Sequence, residues 1–597
     1  MRRNVILSFS LSGHGFSCAI CINGEIVAAS SLERITRIKN DLLLPITKSD
    51  LKAFGWNGDP KMYEENLDLP FDLDMDVSSI DFENNPAFVS FLDHMLAAGK
   101  ISLEDVDCVV YSYRYVDEAR EFFAKRQPSI EFVVPEHHFS HACQAFLPSP
   151  FKEAAIMIVD GQGVPMERTQ GDQLAGVLGY GKGNDIEIYD ELPVRHSLGG
   201  MYAEFTHRIG FSTNQEGKTM GLAPYGTDKF YTELRTQLKT DVSEFNLRNI
   251  KGLIQRRFKP QNVNYSLPDY GAFLDRFERR KKGEELTQVH KDLAFAVQKL
   301  TEDVMVQLAD VLYERTGSKN LVIAGGVGLN CVANYQVRIR SKFDNIWVHP
   351  NPGDNGLAVG QALYAYIVQG GFSRRYVETH DYLGMEYTSE RFETAVHELD
   401  GRDDLLITKF DDLEALYDAM ASNIAEGKVT SWCQGRSEFG PRALGNRSIL
   451  ADPRRADMKD ILNSRVKFRE SFRPFTPSVL AERSAEFFEL DEECPFMLMA
   501  PYVREGKAQL IPAITHADNT ARVQTVTADT NERYYGLIKA FDRLTGIPMV
   551  LDTSFNIADE PIVESPEDAI RCFLSTDIDV LGIDMFLITK LHKTHKS

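Results

Sequence analysis

No stretch of the 597-residue chain reaches the roughly 18 consecutive apolar residues that a membrane-spanning helix needs. The opening MRRNVILSFSLSG resembles a secretory leader only faintly, because Ser8, Ser10 and Ser12 interrupt its apolar run and no small-residue cleavage site follows. Cysteine is sparse: eight residues at 18, 21, 108, 143, 331, 433, 494 and 572 form no regular framework, which excludes a disulfide scaffold and fits a reducing compartment. Cys18 and Cys21 have CxxC spacing, but they lie in the apolar run SCAICI without a second pair, so they read as buried strand residues. Basic residues are in deficit, 66 against 87 acidic ones, for a formal net charge of -21. That balance argues against broad binding to nucleic acid or an anionic membrane. Neither the Walker loop nor the dinucleotide-binding glycine fingerprint is present at its required spacing. The expectation is a soluble, cytoplasmic protein.

With 43% hydrophobic and 26% charged residues the chain has the makeup of a globular enzyme, and its length exceeds what one core supports. Against the acidic background one stretch stands out. Between Arg436 and Arg473 there are ten Lys or Arg and five Asp or Glu. Cations gathered in one place repel unless an anion lies among them, and Gly440, Pro441 and Gly445 punctuate the arginines in a way that an exposed helix does not require. The forked guanidinium matches phosphate or carboxylate oxygens, so the stretch reads as an anion site.

Residues 4 to 31 read as three strands, the last two joined at Asn23-Gly24, with a polar loop from Ser10 to Gly15 presenting His14. Arg34, Arg37 and Lys39 form a second basic patch, either a phosphate contact or an exposed face. Residues 50 to 100 fit neither period and suggest an insertion or a cap. In EHHFSHA, His137 and His141 are four residues apart, so a helix would put both imidazoles on one face, as metal ligands or as surface residues. Asp160 ends the apolar run AAIMIV. The loop around Glu216, Gly217 and Lys218 suits a phosphate or ribose contact or a plain turn. The basic runs at 255–258 and 278–285 read as solvated helix faces, and residues 287–315 as an amphipathic helix closed by Gly317. Next come a buried strand, Leu321 to Ala324, and the turn Gly325-Gly326-x-Gly328 with Asn330 entering a helix, an arrangement that serves a nucleotide phosphate or tight packing. Asp354 sits in a Pro/Gly turn, the character of the chain changes near 372–412, and Arg522 and Ser554 stand at strand ends beyond.

Nine blocks in order, EHHFSHA, SPF with VDG, EGKTMGLAPYG, AGGVGLNCVAN, PGDNGLAVGQAL, EFGPRALGNRSILADPR, KFRESFRPFTPS, TARVQTV and TSFN with EPIVESPEDA, resemble the O-carbamoyltransferases of the NodU/CmcH family across nearly the whole chain. The resemblance implies an α/β protein in which residues 1–375 form a duplicated actin-like (ASKHA, Kae1-like) transfer domain. Residues 376–412 would be a boundary, and 413–597 a YrdC-like domain that forms carbamoyladenylate. It implies a metal, Fe²⁺ or another divalent transition ion, on His137, His141, Asp160 and Asp354, and a nucleotide near Lys218, Gly325, Gly326, Gly328 and Asn330. Carbamoyl phosphate and ATP with Mg²⁺ would meet Arg442, Arg447, Lys467, Arg473, Arg522 and Ser554. His14 would be the base that delivers the carbamoyl group to a hydroxyl of a small-molecule secondary metabolite, as in antibiotic biosynthesis, with release of AMP.

Three positions depart from the family's pattern: Gly15 stands where an Asp is usual, Asp552 where an Asn is, and Asn519 where a Gly is. Gly15 removes a carboxylate that would orient the imidazole of His14. The alternatives are a tRNA adenosine-modifying enzyme of the threonylcarbamoyl type, a sugar-kinase-like phosphotransferase and a binding protein without turnover. The acidic balance counts against the first, and the C-terminal arginines against the second. The acceptor and the oligomeric state, a homodimer included, are left open.

Overall fold

The computed structural model describes residues 4–12, 15–41, 43, 80–112, 115–163, 173–212, 214–240, 265–281, 283–558 and 560–591. Chain contacts divide it into two compact units, one of residues 1–25, 41–93 and 102–377, the other of 26–40, 94–101 and 378–597. The architecture is α/β with mixed sheets.

In the first unit, β1 (Val5–Ser12) pairs antiparallel with β2 (Gly15–Ile22); β3 (Glu25–Ser31), which follows through the turn at Asn23 and Gly24, falls from Ile26 on among the residues of the second unit. Parallel to β1 lies β4 (Cys108–Tyr111), followed by β5 (Glu131–Val133), giving the order β3-β2-β1-β4-β5. A second sheet contains β6 (Glu153–Val159), β7 (Leu174–Lys182) and β8 (Asp185–Pro193). After a short ribbon of β9 (Lys239–Thr240) and β10 (Tyr265–Ser266) it is completed by β11 (Asn320–Ala324) and β12 (Asn345–Val348). Its order, β8-β7-β6-β11-β12, repeats that of the first sheet strand for strand, two antiparallel pairings followed by two parallel ones. The helix His137–Phe146 follows the fifth strand of the first set, and the helix Leu357–Leu363 follows the fifth strand of the second. Both are almost wholly buried, as expected of helices enclosed by sheets on which they pack. The 29-residue helix Gln288–Thr316 ends at Gly317, whose φ of 63° is the left-handed cap that the sequence anticipates.

The second unit is an eight-stranded sheet of β13 (Leu405–Lys409), β14 (Thr430–Cys433), β15 (Arg447–Ala451), β16 (Thr476–Leu480), β17 (Gln524–Val526), β18 (Met549–Ser554), β19 (Val580–Ile583) and β20 (Phe586–Lys590). Their spatial order is β13-β20-β19-β14-β15-β18-β16-β17. Among the described residues, no helix is long and apolar enough to cross a membrane.

Several expectations need correction. The strands of the first hairpin run on to Ser12 and from Gly15, so the polar loop is shorter than Ser10 to Gly15; Ser10 and Ser17 stay in the ladder because their hydroxyls donate to the carbonyls of Asp354 and Asn355. Residues 376–412, read as a boundary, also hold the helix Ser389–His397 and β13, an edge strand paired with β20. The helix Pro86–Gly99 lies in the segment that fits neither period, and Phe88 and Phe91 on it are buried against Phe16. Residues 278–281 are irregular rather than helical, and Arg280 spends its guanidinium on the carbonyls of Ile209, Gly210 and Glu284. The basic run at 255–258 lies outside the described residues.

Candidate functional sites

Four side chains converge in the first unit. His137 opens its helix and His141 follows one turn on; Asp160 is the first residue after β6, and Asp354 begins the turn that leads into the helix Leu357–Leu363. One ligand atom from each lies within 4.8 Å of the other three. His141 Nε2 is 3.2 Å from Asp354 Oδ1 and 3.7 Å from Asp160 Oδ2, and His137 Nε2 is 3.5 Å and 3.8 Å from Asp160 and Asp354. Burial opposes charge at His137, Asp160 and Asp354, yet the histidines draw both carboxyls below the ordinary range and the carboxylates raise His137. Two imidazoles and two buried carboxylates facing one point suit a borderline divalent metal, so the donor set fits such an ion.

The glycine turn after β11 serves this cluster. Gly326 N–H donates to Asp160 Oδ1 at 2.9 Å, so the anion that the backbone holds is the protein's own carboxylate. Gly325 has φ 88°, and a Cβ there would collide with the carbonyl of Val159. A Cβ on Gly328 would press on Pro352 at 3.0 Å. Asn330 caps the helix Cys331–Arg340 and exchanges hydrogen bonds with Gln298. Lys218, in the helix Glu216–Leu222, lies over the Phe211 ring at 5.6 Å. His14 lies outside the described residues; on either side of it Ser12 and Gly15 are paired. Gly15 has φ 146°, and a Cβ on it would approach Asn355 Oδ1 to 2.9 Å, so any side chain is doubly disfavoured there.

In the second unit the basic stretch divides into a scaffold and a group of neighbouring cations. Glu438 Oε1 accepts from the backbone N–H groups of Leu444 (2.7 Å), Asn446 (2.9 Å) and Arg447 (3.3 Å), while Asp381 Oδ2 accepts from Gly440 N–H at 2.7 Å. Two buried carboxylates therefore fold the loop around Pro441, which carries the half-buried Arg442. Arg447 is fully buried and donates to the carbonyls of Glu564, Gln434, Asn446 and Gly435, as a clasp between strands. Other cations of the stretch lie near one another around Lys467. Lys467 Nζ donates to Ser554 O (2.5 Å), Ser554 Oγ (3.3 Å), Asn556 O (3.0 Å) and Asn556 Oδ1 (2.7 Å). Burial, then Arg469 and Arg473, push its ammonium well below the usual value. Burial with Arg473 and Arg522 takes Arg469 down to about 9. The cations lie close enough to disfavour one another's charge.

Glu438, Asp381 and Phe468 do not stand out in the sequence pattern, and Arg469 stands there as one cation among ten. The spacing of Glu438 ahead of the Gly/Pro turn was the one available signal for the carboxylates. Phe468 has φ 43° and is 68% exposed, unusual values for a bulky residue, and it stands between Lys467 and Arg469.

Residues 90–363 match the family model described as carbamoyltransferase N-terminus, and 421–590 the one described as carbamoyltransferase C-terminus. The nodulation protein NolNO of Sinorhizobium fredii is 36% identical, over 97% of this chain and 79% of its own length. The nodulation protein NolO of Bradyrhizobium diazoefficiens is 39% identical over 76% and 78%. An uncharacterized protein of Synechocystis is 37% identical over 98% and 96%. Among solved structures, HypF of T. kodakarensis is similar with a TM-score of 0.33 and 13% identity over 62% of this chain and 48% of its own. The chain belongs to the carbamoyltransferase family and is a transferase enzyme.

Proposed function

We propose that the protein is an ATP-dependent O-carbamoyltransferase with two chemical stations. In the second unit carbamoyl phosphate and ATP become carbamoyladenylate. For the atoms to balance, one water releases inorganic phosphate from carbamoyl phosphate, and the resulting carbamate oxygen attacks the α-phosphorus of ATP as pyrophosphate leaves. Two polyanions must be held together for this, and fixed cations that need no reorganisation are the usual means. The convergence of Lys467, Arg469, Arg473 and Arg522 beside Ser554 is the observation that carries the reading.

In the first unit a hydroxyl of a small-molecule acceptor attacks the carbamoyl carbon, AMP leaves, and His14 takes the hydroxyl proton. His137, His141, Asp160 and Asp354 would hold a divalent ion such as Fe²⁺, which when bound would supply fixed positive charge for the leaving phosphate. Lys218 and the turn Gly325–Gly328 with Asn330 are the proposed nucleotide contacts there. Two sheets of identical strand order support an actin-like, duplicated reading of this unit, and a YrdC-like reading of the second rests on the family resemblance. Eight buried cysteines, none of them in a disulfide, support a reducing, cytoplasmic setting.

The test is incubation with ATP, carbamoyl phosphate and Mg²⁺ followed by mass spectrometry. A carbamoylated AMP, absent when carbamoyl phosphate is left out, is the expected product. ADP as the sole nucleotide product would refute the reading.

A further inference from the structure

The amide of Gln144 lies three residues beyond His141 on the same helix face, is fully buried, and spans the helix and the turn that supply three of the four converging ligands. Its Nε2 donates to the carbonyls of Asn351 at 2.5 Å and Gly353 at 3.2 Å. Both partners only accept, so this end of the amide is the NH₂ and the other end is the carbonyl oxygen. That oxygen lies 2.6 Å from His141 Nδ1. An amide oxygen cannot donate, so Nδ1 carries the proton, and the lone pair of His141 is fixed on Nε2. Nε2 is the atom 3.2 Å from Asp354 Oδ1.

We infer that Gln144 is a positioning residue that sets the tautomer of His141 and, through the carbonyls of Asn351 and Gly353, the place of Asp354, so that both present lone pairs to a divalent cation. The inference rests on the metal reading above. Two glycines make room for Gln144: a Cβ on Gly356 would strike its Nε2, and one on Gly360 would lie 2.7 Å from its Cβ. Partners of this kind behind a metal-ligating histidine typically contribute 10- to 100-fold in metal affinity.

The test uses the full-length chain, stripped with a chelator and titrated with Co²⁺, whose d–d absorption reports its ligands. Wild type is expected to bind Co²⁺ in a way that H141A abolishes. Q144M, similar in length but without the amide, should bind about 10- to 100-fold more weakly with an altered spectrum. Q144E keeps an oxygen for Nδ1–H but loses the donor to the Asn351 and Gly353 carbonyls, so it should bind more weakly than wild type as well, and wild-type affinity in Q144E would overturn the arm that places Asp354. If Q144M does not fold, Q144N decides, because it is one methylene too short to reach both His141 and the Asn351 carbonyl, and it should lose affinity as Q144M would. Wild-type affinity and spectrum in Q144M or Q144N overturn the role of Gln144 while leaving the metal reading intact. Absence of H141A-sensitive Co²⁺ binding in wild type overturns the metal reading and this inference with it.

Discussion

Replacing Asp552 by Asn should flatten the pH dependence of stability in the second unit. The carboxyl is fully buried in β18, where Tyr534 Oη (2.7 Å), Ser478 Oγ (3.0 Å) and Ser448 Oγ (3.1 Å) all donate to Oδ2. Burial is the dominant influence, outweighs the three donors and is reinforced by the nearby charge of Glu438, so the pKa rises to about 7. An unfolded Asp titrates near ~3.9. The folded state therefore binds the proton more tightly. The stability this contributes is complete below about pH 4, declines as the pH rises towards the folded value of about 7, and is gone above it. Three units at ~1.4 kcal/mol each put the loss at about 4 kcal/mol, an upper figure because the site can relax. The amide of D552N keeps an oxygen for the three donors and never charges, and it restores the residue usual in the family at this position. Thermal unfolding of wild type and D552N between pH 5 and 8.5 measures the effect: near-equal Tm values at pH 5, with D552N more stable at pH 8 by roughly 2–4 kcal/mol. Parallel profiles, or a variant less stable at pH 8, would refute the account of this cluster.

Other perturbations separate scaffold from chemistry. R447M should lower stability by at least ~3 kcal/mol in thermal unfolding, because three buried carbonyls and a part-buried one lose a donor. R473A should leave Tm within a degree or two and abolish adenylate formation, whereas H14A should spare adenylate formation and block transfer to the acceptor, both read by mass spectrometry. F468G should raise stability by about 0.5–1 kcal/mol in chemical denaturation, since relief of ~1–2 kcal/mol of left-handed strain exceeds the entropy a glycine adds to the unfolded chain. Co²⁺ at 100 times its Kd should stabilise the first unit by ~2.7 kcal/mol, and D354N should abolish the shift.

What the sequence made legible were features carried by local chemistry. The periodic Leu and Val positions from Val289 to Leu312 and the terminal Gly317 define the long helix by themselves, and His137 and His141 need only helical spacing to share a face. The basic stretch was visible as charge and Gly/Pro punctuation. Which of its arginines face a ligand was not, because Arg447 is occupied by carbonyls as distant in sequence as Glu564. Gln144 was invisible for the same reason, since its carbonyl partners lie some two hundred residues away. The strand Leu405–Lys409 escaped notice at a sheet edge, where one side of the ladder is free and the residues are largely polar or exposed. Phe468 carries no composition signal, because its oddity lies in φ alone.

The most direct measurement for two-station chemistry is isotope exchange between ATP and pyrophosphate in the purified protein with Mg²⁺ and without an acceptor. Carbamoyladenylate formation is reversible at the α-phosphorus, so exchange should require carbamoyl phosphate, survive H14A and disappear in R473A. Exchange without carbamoyl phosphate, or none with it in folded protein, would contradict the central claim.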